Sequence, residues 1–192
     1  PITRFAYLGG RFTGAFLVMV IVHLGIPAGL LLGPLMPWVD HAKMLPPDLG
    51  MHLRQFATLV LPTVFLLSAI FFAVGALTRS LFAIYTQGIF LLVAWSVTSR
   101  MLGNLSDQRI AGLADPFGIQ AFSLLTRYWT VAEKNTLAVP LAGIVLENRL
   151  IWLAVAGVVV IVTFVAFRFR SGPITLGRKK AELPGAESFV PA

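Results

Sequence analysis

Few side chains in this 192-residue chain could do chemistry: eight Asp and Glu, three His and no Cys. Without cysteine there is neither a disulfide framework nor a thiolate metal site. His41 and His52 share a segment with Asp40 and Asp48. A metal centre needs three or four converging ligands. Eleven positions and two prolines separate these two histidines, so no metal site is expected. His23 sits in a long apolar run, where an ionisable side chain is a functional candidate by default. Its commoner role is a hydrogen bond to a neighbouring helix, and that is the expectation here. Glu147, Asn148 and Arg149 form the densest polar triplet beside an apolar run. Arg149 is expected to anchor that run's outer end with Glu147 as its partner, a position from which a pair could also gate a path.

The reaction motifs are missing. There is no HExxH for a zinc hydrolase and no GxxxxGK[ST] to cradle nucleotide phosphates. There is no GxSxG nucleophile elbow and no SxxK. The chain is therefore expected to be no enzyme and to use no cofactor. Its net charge of +7 is not interleaved with aromatic residues as a nucleic-acid surface would be, so no nucleic-acid partner is expected.

The elements that hold these residues follow from where charge is missing. Only 12% of residues are charged, against about 25% in an ordinary soluble domain. Uncharged gaps of 28, 24, 20 and 18 residues lie between Arg11 and Asp40, Arg54 and Arg79, Arg79 and Arg100, and Arg149 and Arg168. About 20 apolar residues suffice for a helix to cross the hydrocarbon core. The pattern predicts an all-α polytopic membrane protein with four transmembrane helices, near residues 12–36, 56–77, 81–100 and 150–167. No Asp or Glu falls inside these bounds, which argues against a carboxylate proton relay.

Within the first run, Pro27 predicts a kink. Gly25, Gly29 and Gly33, four apart, resemble the small-residue face that lets helices approach closely. Residues 37–55 read as a polar loop. The second and third runs are too long together for one bilayer crossing, so the chain must turn near Arg79.

Residues 101–148 are too polar to span and too apolar for a linker. Asp115-Pro116 reads as an N-cap with proline in the first turn. It predicts an interfacial amphipathic helix over 116–128, with Phe117, Ala121, Leu124 and Tyr128 on one face and Gln120, Ser123 and Arg127 on the other. Tyr128 and Trp129 suit headgroup depth. Thr130 and Glu133 match a capping box that opens a second short helix, so Glu133 and Lys134 read as a solvated helix start. Asp115, Arg127, Trp129, Glu133, Glu147, Arg149 and His23 are thus the candidate structural or gating residues.

Residues 1–11, Arg79 and residues 168–192 carry eight Lys and Arg in 37 residues, against seven in 69 on the opposite side. The positive-inside rule therefore predicts that both ends are cytoplasmic. The basic stretch 171–192 reads as a disordered tail or linker. The run after Arg11 is too long for a signal-peptide core. Because the chain opens on Pro1, it is expected to be a processed chain or a piece of a longer one.

Asp115-Pro116-Phe117-Gly118, the run Thr126–Asn135 and the run Asn148–Leu153 resemble a subgroup of type 2 ABC exporter permeases. Pro1–Arg4 and Tyr7–Phe12 are similar to the segment leading into such a permease's third span. The resemblance covers about residues 1–170 and implies the last four of six spans. It implies a translocation path shared with a second permease domain or a homodimer partner, in the bacterial cytoplasmic (inner) membrane. A separate cytoplasmic ATPase would supply the energy. The subgroup includes fusions to a zinc aminopeptidase, so the alternative is a membrane anchor or scaffold for a fused or partner enzyme.

Overall fold

The computed structural model describes residues 3–40, 46, 48–103 and 107–167. Among these the chain is helical, with no strand. Three helical stretches are long and apolar enough to cross a membrane: Arg4–Leu35, Leu49–Thr78 and Gly143–Ala166.

The first stretch begins at Arg4, eight residues before the uncharged run, because the Thr3 hydroxyl caps the Ala6 N–H at 3.2 Å. It divides into α1 (Arg4–His23), α2 (Gly25–Leu32) and a 3₁₀ turn, Gly33–Leu35. The break at Leu24 has a local cause. Pro27 has no N–H for the carbonyl of His23, four residues earlier, and its ring crowds that carbonyl. The helix is therefore interrupted where the kink is expected. The expected close approach along Gly25, Gly29 and Gly33 is not, since a Cβ at any of them would meet nothing within 4 Å.

The stretch read as a 37–55 loop contains α3 (Leu49–Gln55). The Asp48 carboxylate caps it, accepting from Met51 N at 3.1 Å. A π-helical segment, Phe56–Val60, joins α3 to α4 (Leu61–Thr78) without a loop. Pro62 explains the widening, because it cannot donate and would clash in a regular α turn. The chain instead closes a wider ring, Leu61 N–H to Phe56 O. The hydroxyls of Thr58 and Thr63 serve the carbonyls of Arg54 and Leu59 at 2.8 and 3.0 Å.

The chain turns where expected. Arg79 adopts a left-handed conformation, φ 55°, and closes α4 by donating to Gly75 O. It is followed by α5 (Leu81–Gly103), 23 residues long. That length corresponds to about 34 Å of helix.

The next segment differs from the expected 116–128 helix. It forms α6 (Gln108–Ala114), then α7 (Ile119–Leu125) and α8 (Val131–Thr136). Gly118, at φ 71°, delays the start of α7. Since α7 stops at Leu125, Tyr128 loses phase with Ala121. Tyr128 is 86% exposed and Ala121 fully buried. Finally, α9 (Gly143–Ala166) starts seven residues earlier than the uncharged run. Glu147 and Arg149 therefore lie within its first two turns, and this long apolar helix does contain a carboxylate.

Helix α4 is the centre of the bundle and packs against α1, α5 and α9. Its closest neighbour is α9, where Ala69 and Ala156 are buried together with Leu66 and Phe12. Small residues at that crossing let the backbones approach. Phe12 adds edge-on ring contacts to Phe72 at 5.3 Å and Phe65 at 5.9 Å. A second cluster, Ala121, Val139 and Val145, joins α7 and the start of α9, with Leu59 packed against it. The tail 171–192 and His41 lie outside the described residues.

Candidate functional site

The two buried polar side chains at the start of α9 organise one end of the molecule. Asn148 is fully buried and Arg149 is 3% exposed. Asn148 Nδ2 donates to the carbonyls of Gly112 and Asp115 at 2.8 Å and of Leu113 at 3.3 Å. Trp152, one turn on, donates its indole N–H to Leu113 O at 3.1 Å. These carbonyls belong to the last turn of α6, where a helix leaves backbone acceptors without intrahelical donors. Side chains of α9 therefore close the end of α6.

Arg149 does the same work in two directions. Nη2 donates to Phe117 O at 2.6 Å, and Nη1 donates to Thr63 Oγ1 at 3.0 Å and Leu59 O at 3.4 Å. One planar guanidinium thus ties α9 to the turn before α7 and to the π segment of α4. A lysine ammonium, a single point donor, could not hold that geometry.

Asp115 faces the backbone rather than Arg149. Its oxygens accept from Phe117 N at 3.0 Å and Gln120 N at 2.8 Å. The carboxylate is 2% exposed. Asp115 is not the expected N-cap, since Gly118 takes that position without a side-chain cap, but its carboxylate still reaches Gln120 N in the first turn of α7. Gly118 completes the arrangement. Its backbone is left-handed, and a Cβ there would lie 1.3 Å from Arg149 Nη2. Glycine is required by conformation and by space at once.

The other five candidates fall outside this cluster. Glu147 pairs with Arg109 at 2.9 Å on the exposed surface, not with Arg149 as expected. The reason is phase: successive residues on a helix point about 100° apart, so Glu147 and Arg149 leave α9 in different directions. The bond to Glu147, with the charge of that carboxylate, raises the Arg109 pKa. Arg127 donates to Gln108 Oε1 at 2.7 Å and lies over the Tyr128 ring. Trp129 is half-buried beyond α7, its N–H on Thr126 O.

Glu133 forms the expected capping box. Its carboxylate accepts from Thr130 N at 2.7 Å and Thr130 Oγ1 at 2.8 Å, while Glu133 N donates to Thr130 Oγ1 at 3.2 Å. The backbone bond from Thr130, then its hydroxyl, holds the Glu133 carboxyl below its ordinary pKa. His23 is bonded within its own helix, Nδ1 to Met19 O at 2.7 Å, rather than to a neighbouring one. His52 Nδ1 likewise meets the Asp48 carbonyl at 2.5 Å. Among the described residues no three His or carboxylates converge as a metal site.

Beside the Arg149 cluster is a cavity of about 270 Å³, walled by Leu66, Ile70, Trp95, Asp115, Phe117 and Trp152 among others. Trp95 packs edge-on to Phe117 at 5.5 Å, yet its buried Nε1 has no acceptor. Gln87, two turns earlier on α5, has both side-chain polar atoms buried without partners. Sequence inspection passed over Gln87, Trp95 and Thr63. A glutamine inside an uncharged run was the available signal, since polar side chains at such depth are costly. No family model, curated protein or solved structure matches this chain.

Two outcomes follow from this geometry. Gly118→Ala should destabilise the protein by roughly 3 kcal/mol or more, from left-handed strain plus lost charged hydrogen bonds. Thermal unfolding in detergent reads this, and an unchanged midpoint would refute the Arg149 packing. Glu133 contributes stability above its unfolded pKa, because its folded pKa is the lower of the two. That contribution should be lost as pH falls through the folded value. The protection factor of the Glu133 backbone amide, its rate taken relative to the intrinsic rate at each pH, should therefore fall in acid, and Glu133→Gln should flatten that profile.

Proposed function

We propose that this chain is a membrane-spanning permease domain of the ABC exporter type, with α5 as a fourth crossing. The observation that carries the proposal is the polarity of α5. Its outer flank is lipid-like, with Leu81, Phe82, Tyr85, Ile89 and Phe90 all largely exposed. Its inner side holds Gln87 and Trp95, whose buried polar atoms lack partners. Unpaired polar groups inside an apolar bundle are expensive, and in membrane proteins they mark the paths that solutes take.

The site chemistry agrees with transport rather than catalysis. Asp115 and Arg149 are committed to backbone groups and to Thr63, so they hold helices and touch no reacting atom. The stretches that carry the permease resemblance, around 115–118, 126–135 and 148–153, lie on or beside α7, α8 and α9, of which α7 and α9 pack together with α6 at one end of the bundle. In this reading the α6–α8 segment is an outer cap on the path. The cytoplasmic end carries Arg11 and Arg79, where a separate ATPase docks, and a second permease domain completes the channel.

Two experiments test the proposal. Single cysteines at Ile110 and Thr175 should differ in intact cells, with an impermeant reagent labelling the first and not the second. The reverse pattern overturns the orientation. Co-expressed with a P-loop ATPase from the same genome, the chain should stimulate ATP hydrolysis in vesicles. Gln87→Leu should reduce that stimulation while leaving thermal stability equal or higher, because it removes an unsatisfied buried group. Failure to assemble with any such ATPase would favour the anchor reading.

A further inference from the structure

The end of the bundle opposite the Arg149 cluster contains a groove of about 780 Å³ between α1, α4 and the start of α5. Its apolar lining includes Leu8, Ala15, Phe71, Phe72 and Ile84. Its rim carries Arg11 and Arg79. From these features we infer that the groove is a binding site for an anionic phospholipid, with the headgroup phosphate on the two arginines and an acyl chain along α1. The inference depends on the chain crossing a membrane, not on the permease reading.

Three observations carry it. First, the space exists because side chains are missing. Gly10, Gly14 and Gly75 line it, and a Cβ at Gly10 or Gly14 would meet nothing within 4 Å. Helix α1 therefore presents a face without side chains to the groove.

Second, the charge is one-sided. The described carboxylates Asp40, Asp48, Asp107, Asp115, Glu133 and Glu147 all belong to segments at the opposite end, as the order of the helices requires. Arg4, Arg11 and Arg79 stand at this end. A basic pocket between spanning helices at headgroup depth is a recognised form of lipid site.

Third, the arginines are held in place. Arg11 lies over the Tyr7 ring, with its carbon centre 5.4 Å from the ring centroid, and Nη1 donates to the Tyr7 hydroxyl. Arg79 lies over the Phe167 ring at 5.6 Å. Stacking restricts the motion of each guanidinium and lowers the entropy cost of binding. A guanidinium has five N–H donors in a fork that suits phosphate oxygens. The Tyr7 hydroxyl uses one of those on Arg11.

A second protein helix could fill the same groove, but an apolar one would bring no anion to the Arg11 guanidinium. A lipid satisfies both ends of the groove.

The test uses the full chain purified in detergent and supplied with phosphatidylglycerol or phosphatidylcholine. Lipid retention is read by native mass spectrometry and stability by thermal unfolding. Phosphatidylglycerol should be retained preferentially and raise the unfolding midpoint. Soluble glycerol phosphate should not, which separates a lipid from a free phosphate ligand.

Arg11→Gln should weaken retention roughly fivefold, the effect of about one surface cation. Adding Arg79→Asn, an exchange tolerated at a left-handed position, should abolish the preference. Gly14→Leu should block both lipids by filling the groove, and Gly14→Ala should do so in part if the larger residue prevents folding. Arg109→Gln, at the far end, should change nothing. Equal retention of the two lipids overturns the inference. So does an unchanged preference in the double arginine variant, or a groove occupied by a co-purified protein helix.

Discussion

The fold depends on where the Arg149 guanidinium finds its acceptors. It is a cation buried near the start of a long apolar helix, and no carboxylate forms an ion pair with it among the described residues. Its charge is stabilised by carbonyl and hydroxyl dipoles on two other elements, with the Asp115 carboxylate contributing without a direct bond. Those acceptors exist only because the backbone is irregular at both places. The π segment before Pro62 presents Leu59 O, the first turn of α4 adds Thr63 Oγ1, and the left-handed turn at Gly118 presents Phe117 O. Each irregularity would be costly alone. Together they form one polar junction, and the three elements that meet there must move as a body.

This junction divides the molecule into two regimes. On one side, α1, α4 and α9 pack through alanines and phenylalanines, with no polar side chain needed at the centre. On the other, Asn148, Trp152 and Asp115 satisfy backbone groups that the short helices α6 and α7 leave open. The division has a simple cause. Long helices bond their own backbones, whereas helices of seven residues expose most of theirs at the ends. Short helices therefore demand polar side chains from a neighbour, and α9 supplies them from its first two turns.

Much of this was legible in the chain before its shape was known. The uncharged runs located the long helices, the capping box at Thr130 and Glu133 was read correctly, and Arg79 marked the hairpin turn. The errors share one origin. Helix ends were placed where charge begins, but hydrogen bonding sets them. Thr3 and Asp48 start helices well before the apolar stretch, and Gly143 starts α9 ahead of Glu147. The partner of Arg149 was misjudged for the same reason. Glu147 was chosen by proximity in sequence, while the actual acceptors are uncharged and lie 32 to 90 positions away. Main-chain acceptors leave no trace in composition. Gly118 did leave one: Asp-Pro followed two residues later by glycine is a turn signal, and it was absorbed into an expected helix.

The π segment has a consequence for how the helix running from Leu49 to Thr78 can change. A π turn accommodates one surplus residue, so everything ahead of it is out of step with everything behind by about 100°. The face that α3 shows its surroundings is therefore not an extrapolation of the face by which α4 meets α9. Loss of one residue between Phe56 and Val60 would relax the helix to regular winding and revolve α3 like a key in a lock. It would also carry Leu59 away from Arg149. The surplus residue thus works as a phase adjuster, and the guanidinium is the detent that keeps it set.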